Sequence, residues 1–170
     1  MSMTLNPVNE AAFQKAVQSL ETLNRAAVFH PTGTGKSCIA WKVVEAHPQT
    51  TFFWLVAGAQ RLALRQAELT RYNGGTLPGN VRFCDCEKLA AATPEQWVRL
   101  GEQKPGCVVL DCYHELSAVC WAQSVQKLLR MCPQAKVLGL GVPNGAPVCA
   151  AAQELFADCI VSHMTVAEAM

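Results

Sequence analysis

Eight consecutive residues, His30-Pro31-Thr32-Gly33-Thr34-Gly35-Lys36-Ser37, have the types and spacing needed to hold a chain of phosphates. Gly33 and Gly35 let the backbone turn back and aim several N–H groups into one concavity. A helix starting directly behind them adds the partial positive charge of its N-terminus. Lys36 would reach the β- and γ-phosphates as a mobile point charge, and the Ser37 hydroxyl would coordinate Mg²⁺. Pro31, Thr32 and Thr34 complete the loop. The strict G-x-x-x-x-G-K-[ST] pattern has glycine where this chain has His30, so the match is a variant one. A glycine-rich turn that reads GKS by chance is the alternative. The context disfavours it, because an apolar β-rich run precedes the loop and a helical pattern follows.

Such a loop works with an acid at the end of a neighbouring strand, which holds the metal through water. Val108-Val109-Leu110-Asp111 is an apolar run ending in that acid, and Asp111 is the natural candidate. Its other reading is a cap on the turn into the next helix.

The surrounding pattern supplies strands and helices in the order these residues need. Residues 8–22 read as a helix with Ala12, Phe13, Ala16, Val17 and Leu20 on one face. Strands are expected over 26–30, 51–57, 81–85, 107–111 and 136–140. Helices are expected over 37–46, 59–70 and 115–131. Asn73-Gly74-Gly75 and Pro78-Gly79 mark a loop, and Thr93 is a cap for a short helix carrying Glu95 and Gln96 in its first turn. The tail 147–170 reads as a helix, a short strand near 159–161 and a last helix after Met164. Strands that are continuously apolar are buried on both faces, and with the β-α alternation this predicts an α/β fold of three layers with a mostly parallel sheet.

The bulk properties fit one such domain over 1–170. The chain has 170 residues, 51% of them hydrophobic and 16% charged, which marks a folding sequence with one sizeable core. A net charge of +1, with the basic residues scattered, argues against strong stand-alone nucleic-acid binding. The opening MSMTLNPVNE has no basic stretch followed by an apolar one, so no signal peptide is expected, and no run is long enough to span a membrane. A cytoplasmic setting follows as the expectation, with the nine cysteines reduced. Cys84-x-Cys86 is the sharpest alternative, a zinc pair, but no second pair stands at finger-like spacing. Trp54, Trp97 and Trp121 lie inside apolar patterns and are expected in the core or partly buried.

PTGTGKS, taken together with Asp111-Cys112-Tyr113-His114, resembles motifs I and II of the DEAD/DEAH-type superfamily-two helicases. The likeness runs through most of the chain. LVAGAQRLALRQ resembles the segment Ia region that faces nucleic acid, and FCDCEKLA the strand and turn ahead of motif II. AKVLGLGVPN stands where those helicases have a strand ending in Ser-Ala-Thr-Pro, and ELFADCIVSHMTVAEAM resembles the end of the first motor domain. The resemblance implies a RecA-like domain using ATP and Mg²⁺, with Pro31 to Ser37 holding nucleotide, Ser37 and Asp111 holding the metal, and Asp111 and His114 in the catalytic set. DNA or RNA, bound weakly by this domain alone, and a second motor domain or partner protein are the implied partners. His114 is otherwise a hydrogen-bonded turn residue. Phe13 and Gln14 fall where helicases contact adenine, although a core role suits Phe13 better. Arg61, Arg65 and Arg71 follow the segment Ia region and would meet phosphates or form a solvated helix face.

Three departures bear on function. Motif II has a general-base Glu directly after its Asp, and here that position is Cys112, a thiol with an ordinary pKa near 8.5 and poor acceptor capacity. Glu115 is expected to point elsewhere. The Ser-Ala-Thr segment becomes Gly141-Val142-Pro143, without its two hydroxyls. The 170 residues also leave no room for a second motor domain with its arginine fingers. The expectation is an ATP-binding, helicase-like domain weak in hydrolysis on its own. The alternatives are an active nucleic-acid-dependent ATPase completed by another chain, and an interaction module with a vestigial pocket.

Overall fold

In the computed structural model, which describes residues 3–143 and 149–170, six parallel strands form one sheet in the order β3-β2-β4-β5-β1-β6. The strands are β1 (Arg25–Phe29), β2 (Phe52–Val56), β3 (Val81–Asp85), β4 (Cys107–Asp111), β5 (Lys136–Gly141) and β6 (Ile160–His163). β2 and β4 are buried along their whole length, which is why they read as unbroken apolar runs. The edge strands β3 and β6 carry exposed residues. Asn144 of the AKVLGLGVPN segment, Pro147 and Val148 at the start of the expected tail, and Met1 and Ser2 lie outside the described residues.

The helices are α1 (Pro7–Thr22), α2 (Lys36–Ala46), α3 (Ala59–Tyr72), α4 (Cys86–Ala90), α5 (Pro94–Glu102), α6 (Ala118–Cys120), α7 (Lys127–Met131), α8 (Ala150–Phe156) and α9 (Val166–Ala169). Their starts are chemically marked. The Asn6 side chain caps α1 ahead of Pro7, and Thr93 and Gln96 form a reciprocal capping box on α5.

Strand order fixes which face each helix covers. β1→β2→β3 runs one way across the sheet, and β3→β4→β5→β6 runs back the other way. A constant crossover hand then puts the first connections on one face and the rest on the opposite one. The cores agree with this. α1, α2 and α3 pack Ala16, Ile39, Val44 and Leu69 onto Val28, Trp54 and Val109, while Trp97, Trp121, Leu128 and Phe156 pack onto Phe53, Val108 and Leu110. Strands β1 to β5 feed both cores by simple alternation. Trp54, Trp97 and Trp121 are buried as expected.

One expected element is redrawn. The helix foreseen over 115–131 begins only after Ser117, whose hydroxyl accepts from the Cys120 N–H at 3.0 Å. Tyr113–Glu115 is instead a single 3₁₀ turn. The helix is a π-helix over Trp121–Gln126 before α7, and there Ser124 donates its hydroxyl back to the Cys120 carbonyl. A sequence periodicity cannot show the π-turn, because the pattern on either side of it is helical. The short α4 was also not foreseen; Asp85 caps it by accepting from the Glu87 N–H.

Candidate functional site

The carboxyl ends of β1, β2, β4 and β5 line up, since Phe29 pairs with Gly141 and Val56 with Asp111. The loops after β1 and β5 leave for opposite faces, a switch point at the carboxyl ends of the strands, which is where ligands of open α/β sheets bind. Residues 30–35 lie at that switch point. Gly33 and Gly35 have φ of 85° and 91°, in the left-handed region that glycine enters without strain. Gly35 also has no room for a side chain, because a Cβ there would come within 2.8 Å of the Asn9 amide nitrogen. Thr34 closes the turn by donating its hydroxyl to the Pro31 carbonyl at 2.7 Å. Thr32 and Gly33 are exposed, Thr34, Gly35 and Ser37 are half-buried, and Pro31 is buried.

Lys36 opens α2 and folds its side chain into the loop, donating to the His30 and Pro31 carbonyls at 2.7 and 2.8 Å. Burial lowers its pKa, Cys112 and Asp111 act to raise it, and the Arg65 charge adds to the lowering. His30, in the position where the strict pattern has glycine, is fully buried and shares a 2.7 Å hydrogen bond with the Ser162 hydroxyl. Burial, with help from Lys36 and His163, pushes its pKa to about 4, so the ring is neutral. His30 therefore ties the 30–37 loop to β6.

Asp111 lies beside this loop, with its carboxylate on the α2–α3 face of the sheet. Three donors engage it. The Trp54 indole N–H reaches Oδ2 at 3.0 Å, from a strand position diagonal to it across the β2–β4 ladder. Arg65 closes on both oxygens, Nε at 2.5 Å from Oδ2 and Nη2 at 3.3 Å from Oδ1, and its Nη1 pairs with Glu68. Burial alone would lower the Arg65 pKa, but Asp111 and Glu68 outweigh it and the pKa is raised. The solvated-face reading of Arg65 is thus corrected. Arg65 stands on the inner stripe of α3 with Leu62, Leu69 and Tyr72, at spacings of three, seven and ten from Leu62. That spacing was present in the sequence and was the signal that could have found it.

As folded, these donors do not fit a divalent cation at Asp111. Both carboxylate oxygens are taken by a guanidinium and an indole, and the next residue is a thiol. Among the described residues no group of three His, Cys, Asp or Glu comes together to hold a metal ion.

Cys112 follows in a left-handed conformation, φ 53° and ψ 43°, which carries strain in a non-glycine residue. Burial raises its thiol pKa, and Asp111 raises it further, so the group is a protonated thiol at neutral pH. His114 is lowered by burial, then by Lys36 and Arg61, and is neutral as well. Its Nε2 lies 3.5 Å from Glu115, and its Nδ1 is buried without a partner. Glu115 does not point away from the site, because it pairs with Arg61 of α3 as well as facing His114.

Gln14 is not at the loop; it is exposed and donates to Glu10. Phe13 packs on the core, as the alternative reading had it. The residue of α1 that does reach the loop is Asn9, nearly fully buried, whose amide donates to the Thr34 carbonyl at 2.8 Å while its Oδ1 is unpartnered. Its place on the buried stripe with Ala12, Ala16 and Leu20 was the readable signal. All nine cysteines are free, Cys84 and Cys86 included. No helix of the described residues is long and apolar enough to cross a membrane.

No protein-family model and no curated protein matches the chain. Among solved structures, a hypothetical ATP-dependent RNA helicase from Sulfolobus tokodaii superposes with a TM-score of 0.70 at 9% identity, covering 95% of this chain and 53% of that one. The ATP-dependent Type ISP restriction-modification enzyme LlaBIII bound to DNA superposes at 0.63 and 11% identity, covering 99% of this chain and 16% of that one. The chain thus spans about half the length of the first and a small part of the second. The fold, a three-layer α/β/α RecA-like arrangement, is shared with both structures.

Proposed function

We propose that this helicase-type RecA-like domain binds ATP and ADP in the 30–37 loop and hydrolyses ATP poorly by itself. The observation that carries the reading is Lys36. It opens α2 at the mouth of a loop with two left-handed glycines, at the switch point between strands whose connections diverge. A phosphate chain there would meet backbone N–H groups, the positive end of α2 and the Lys36 ammonium. Asn9 holds the loop's shape through Thr34.

Poor hydrolysis follows from the groups beside it. The attacking water needs a base, and position 112 offers a thiol whose pKa is raised. His114, neutral and paired toward Glu115, is a polar neighbour and no substitute for an ionised carboxylate. General-base catalysis contributes on the order of 10² to 10⁴ in rate, so turnover near background is expected. DNA or RNA binding belongs to this reading as a weak, salt-sensitive property. The net charge of +1 leaves few groups to neutralise phosphates, and a second motor domain or partner protein would supply the rest of a groove.

Isothermal titration with ATP and ADP, beside Lys36→Ala, tests the reading. Measurable affinity, lowered at least about tenfold in a variant that retains its circular dichroism spectrum, is the expected result. Identical titrations for the two proteins would refute it.

A further inference from the structure

The carboxylate that should recruit a metal ion is already neutralised by the protein's own cation. Asp111 is nearly fully buried, and its two oxygens receive Arg65 Nε, Arg65 Nη2 and Trp54 Nε1. A two-point guanidinium–carboxylate contact is among the strongest polar pairs a protein makes, and Glu68 holds the same guanidinium from the other side. For Asp111 to hold a hydrated divalent cation, Arg65 would have to leave, stranding either the guanidinium beside the incoming metal or the carboxylate's indole bond.

The pair also removes an obstacle. A bare carboxylate beside a polyphosphate repels it, and in metal-dependent sites the cation screens the two from each other. Here Arg65 does that screening. Its charge acts on Lys36 together with that of Asp111, so both cations and the carboxylate belong to one electrostatic cluster at the loop. Arg65 offsets Asp111, and with Glu68 counted the four groups balance, which leaves the Lys36 ammonium at the loop with no uncompensated carboxylate beside it.

We propose that Arg65 takes the place of the divalent cation, so that the loop binds nucleotide as the free polyphosphate with no need of Mg²⁺. This rests on the nucleotide-binding reading above. It adds that the ligand is metal-free ATP or ADP, and that Arg65 and Trp54 are the residues that make it so. Trp54 positions the carboxylate from β2, and Arg65 neutralises it from α3.

The test is the affinity of the whole chain for ATP and ADP, titrated once with excess Mg²⁺ and once with EDTA. Dissociation constants agreeing within about threefold in the two buffers are expected. Tightening by more than about tenfold with Mg²⁺ would overturn the inference and leave the nucleotide-binding reading standing. Absence of binding in both buffers would overturn the two together. Arg65→Ala exposes Asp111 to the phosphates, so its affinity in EDTA should fall about tenfold and recover with Mg²⁺. If Arg65→Ala fails to fold, Arg65→Lys keeps the charge without the two-point contact and should show the same dependence in weaker form. A folded Arg65 variant that matches wild type in both buffers would overturn the role given to Arg65.

Discussion

The Phe29 ring occupies the space where a side chain on Gly141 would begin: a Cβ there would lie 2.5 Å from Phe29 Cε1 and 3.4 Å from the Tyr113 ring. The two residues are paired neighbours on β1 and β5 and face the same core. Phe29 in turn meets Tyr113 edge-on, with centroids 6.1 Å apart, and Tyr113 packs on Phe156 and Trp121. The bare Gly141 is therefore what admits this aromatic cluster at the end of β5.

Placing a hydroxyl-bearing side chain at this position should cost stability. Gly141→Thr is expected to destabilise the fold by about 1 to 3 kcal/mol, the usual penalty for overfilling a packed core. Trimming the ring with Phe29→Leu in the same chain should recover part of the loss. Urea midpoints of the two variants check this, and an unshifted midpoint for Gly141→Thr would contradict the packing.

His30 should make the fold acid-sensitive. Its folded pKa is pushed from 6.5 to about 4, so across that window the unfolded chain binds a proton that the folded chain does not. Stability is then intact above the unfolded value, falls as pH drops through the window and levels off below it. Between about pH 7 and about pH 5 the loss should be about 2 kcal/mol. His114, also lowered, adds in the same direction. Denaturant midpoints across this range should be flatter for His30→Gln, and parallel curves for the two proteins would remove His30 from the account.

Hydrolysis should resist a single repair. Cys112→Glu puts a carboxylate beside Arg61, which already acts on the Cys112 thiol, while Arg65 still holds Asp111. Phosphate release by Cys112→Glu should stay within about tenfold of wild type, against the 10² to 10⁴ or so that a working base contributes. Adding Arg65→Ala frees Asp111, and with Mg²⁺ present the double variant should exceed either single one. Robust wild-type turnover that Lys36→Ala abolishes would show that another group serves as the base.

The thiols should divide into reactive and protected sets. All nine are free, and burial raises the pKa of Cys84, to about 11, and of Cys107, to about 12. Cys112 is raised too, and Cys86, Cys120, Cys132 and Cys159 are buried; the half-buried Cys38 and Cys149 are the ones expected to react quickly. A disulfide reagent should count close to nine thiols in the denatured, unreduced protein but only about two in a fast native phase. Rapid reaction of most thiols in the native protein would contradict the burial.

Much was readable before folding, because it depended on local rules. The apolar runs fixed five strands within a residue or two, the alternation of strands and helices fixed the three layers, and GTGKS between a strand and a helix marked the loop by backbone chemistry alone. Asp111 could be singled out because it is the acid that ends an apolar run, with a cap on the next turn as its other reading. Its partner could not be named, since Arg65 lies on a helix that only the sheet order β3-β2-β4 brings over that strand's end. The inner-stripe spacing could have shown that Arg65 faces inward, but only the register of β2 against β4 shows that it meets Asp111 and Trp54 there. Asn9 was hidden for the same reason, as the loop it supports is distant in sequence and is reached by the packing of α1 on α2. The sequence by itself determined which groups carry charge and where the backbone can bend. Tertiary structure decided which charges meet, because ion pairing depends on distances of a few ångströms that no local pattern encodes.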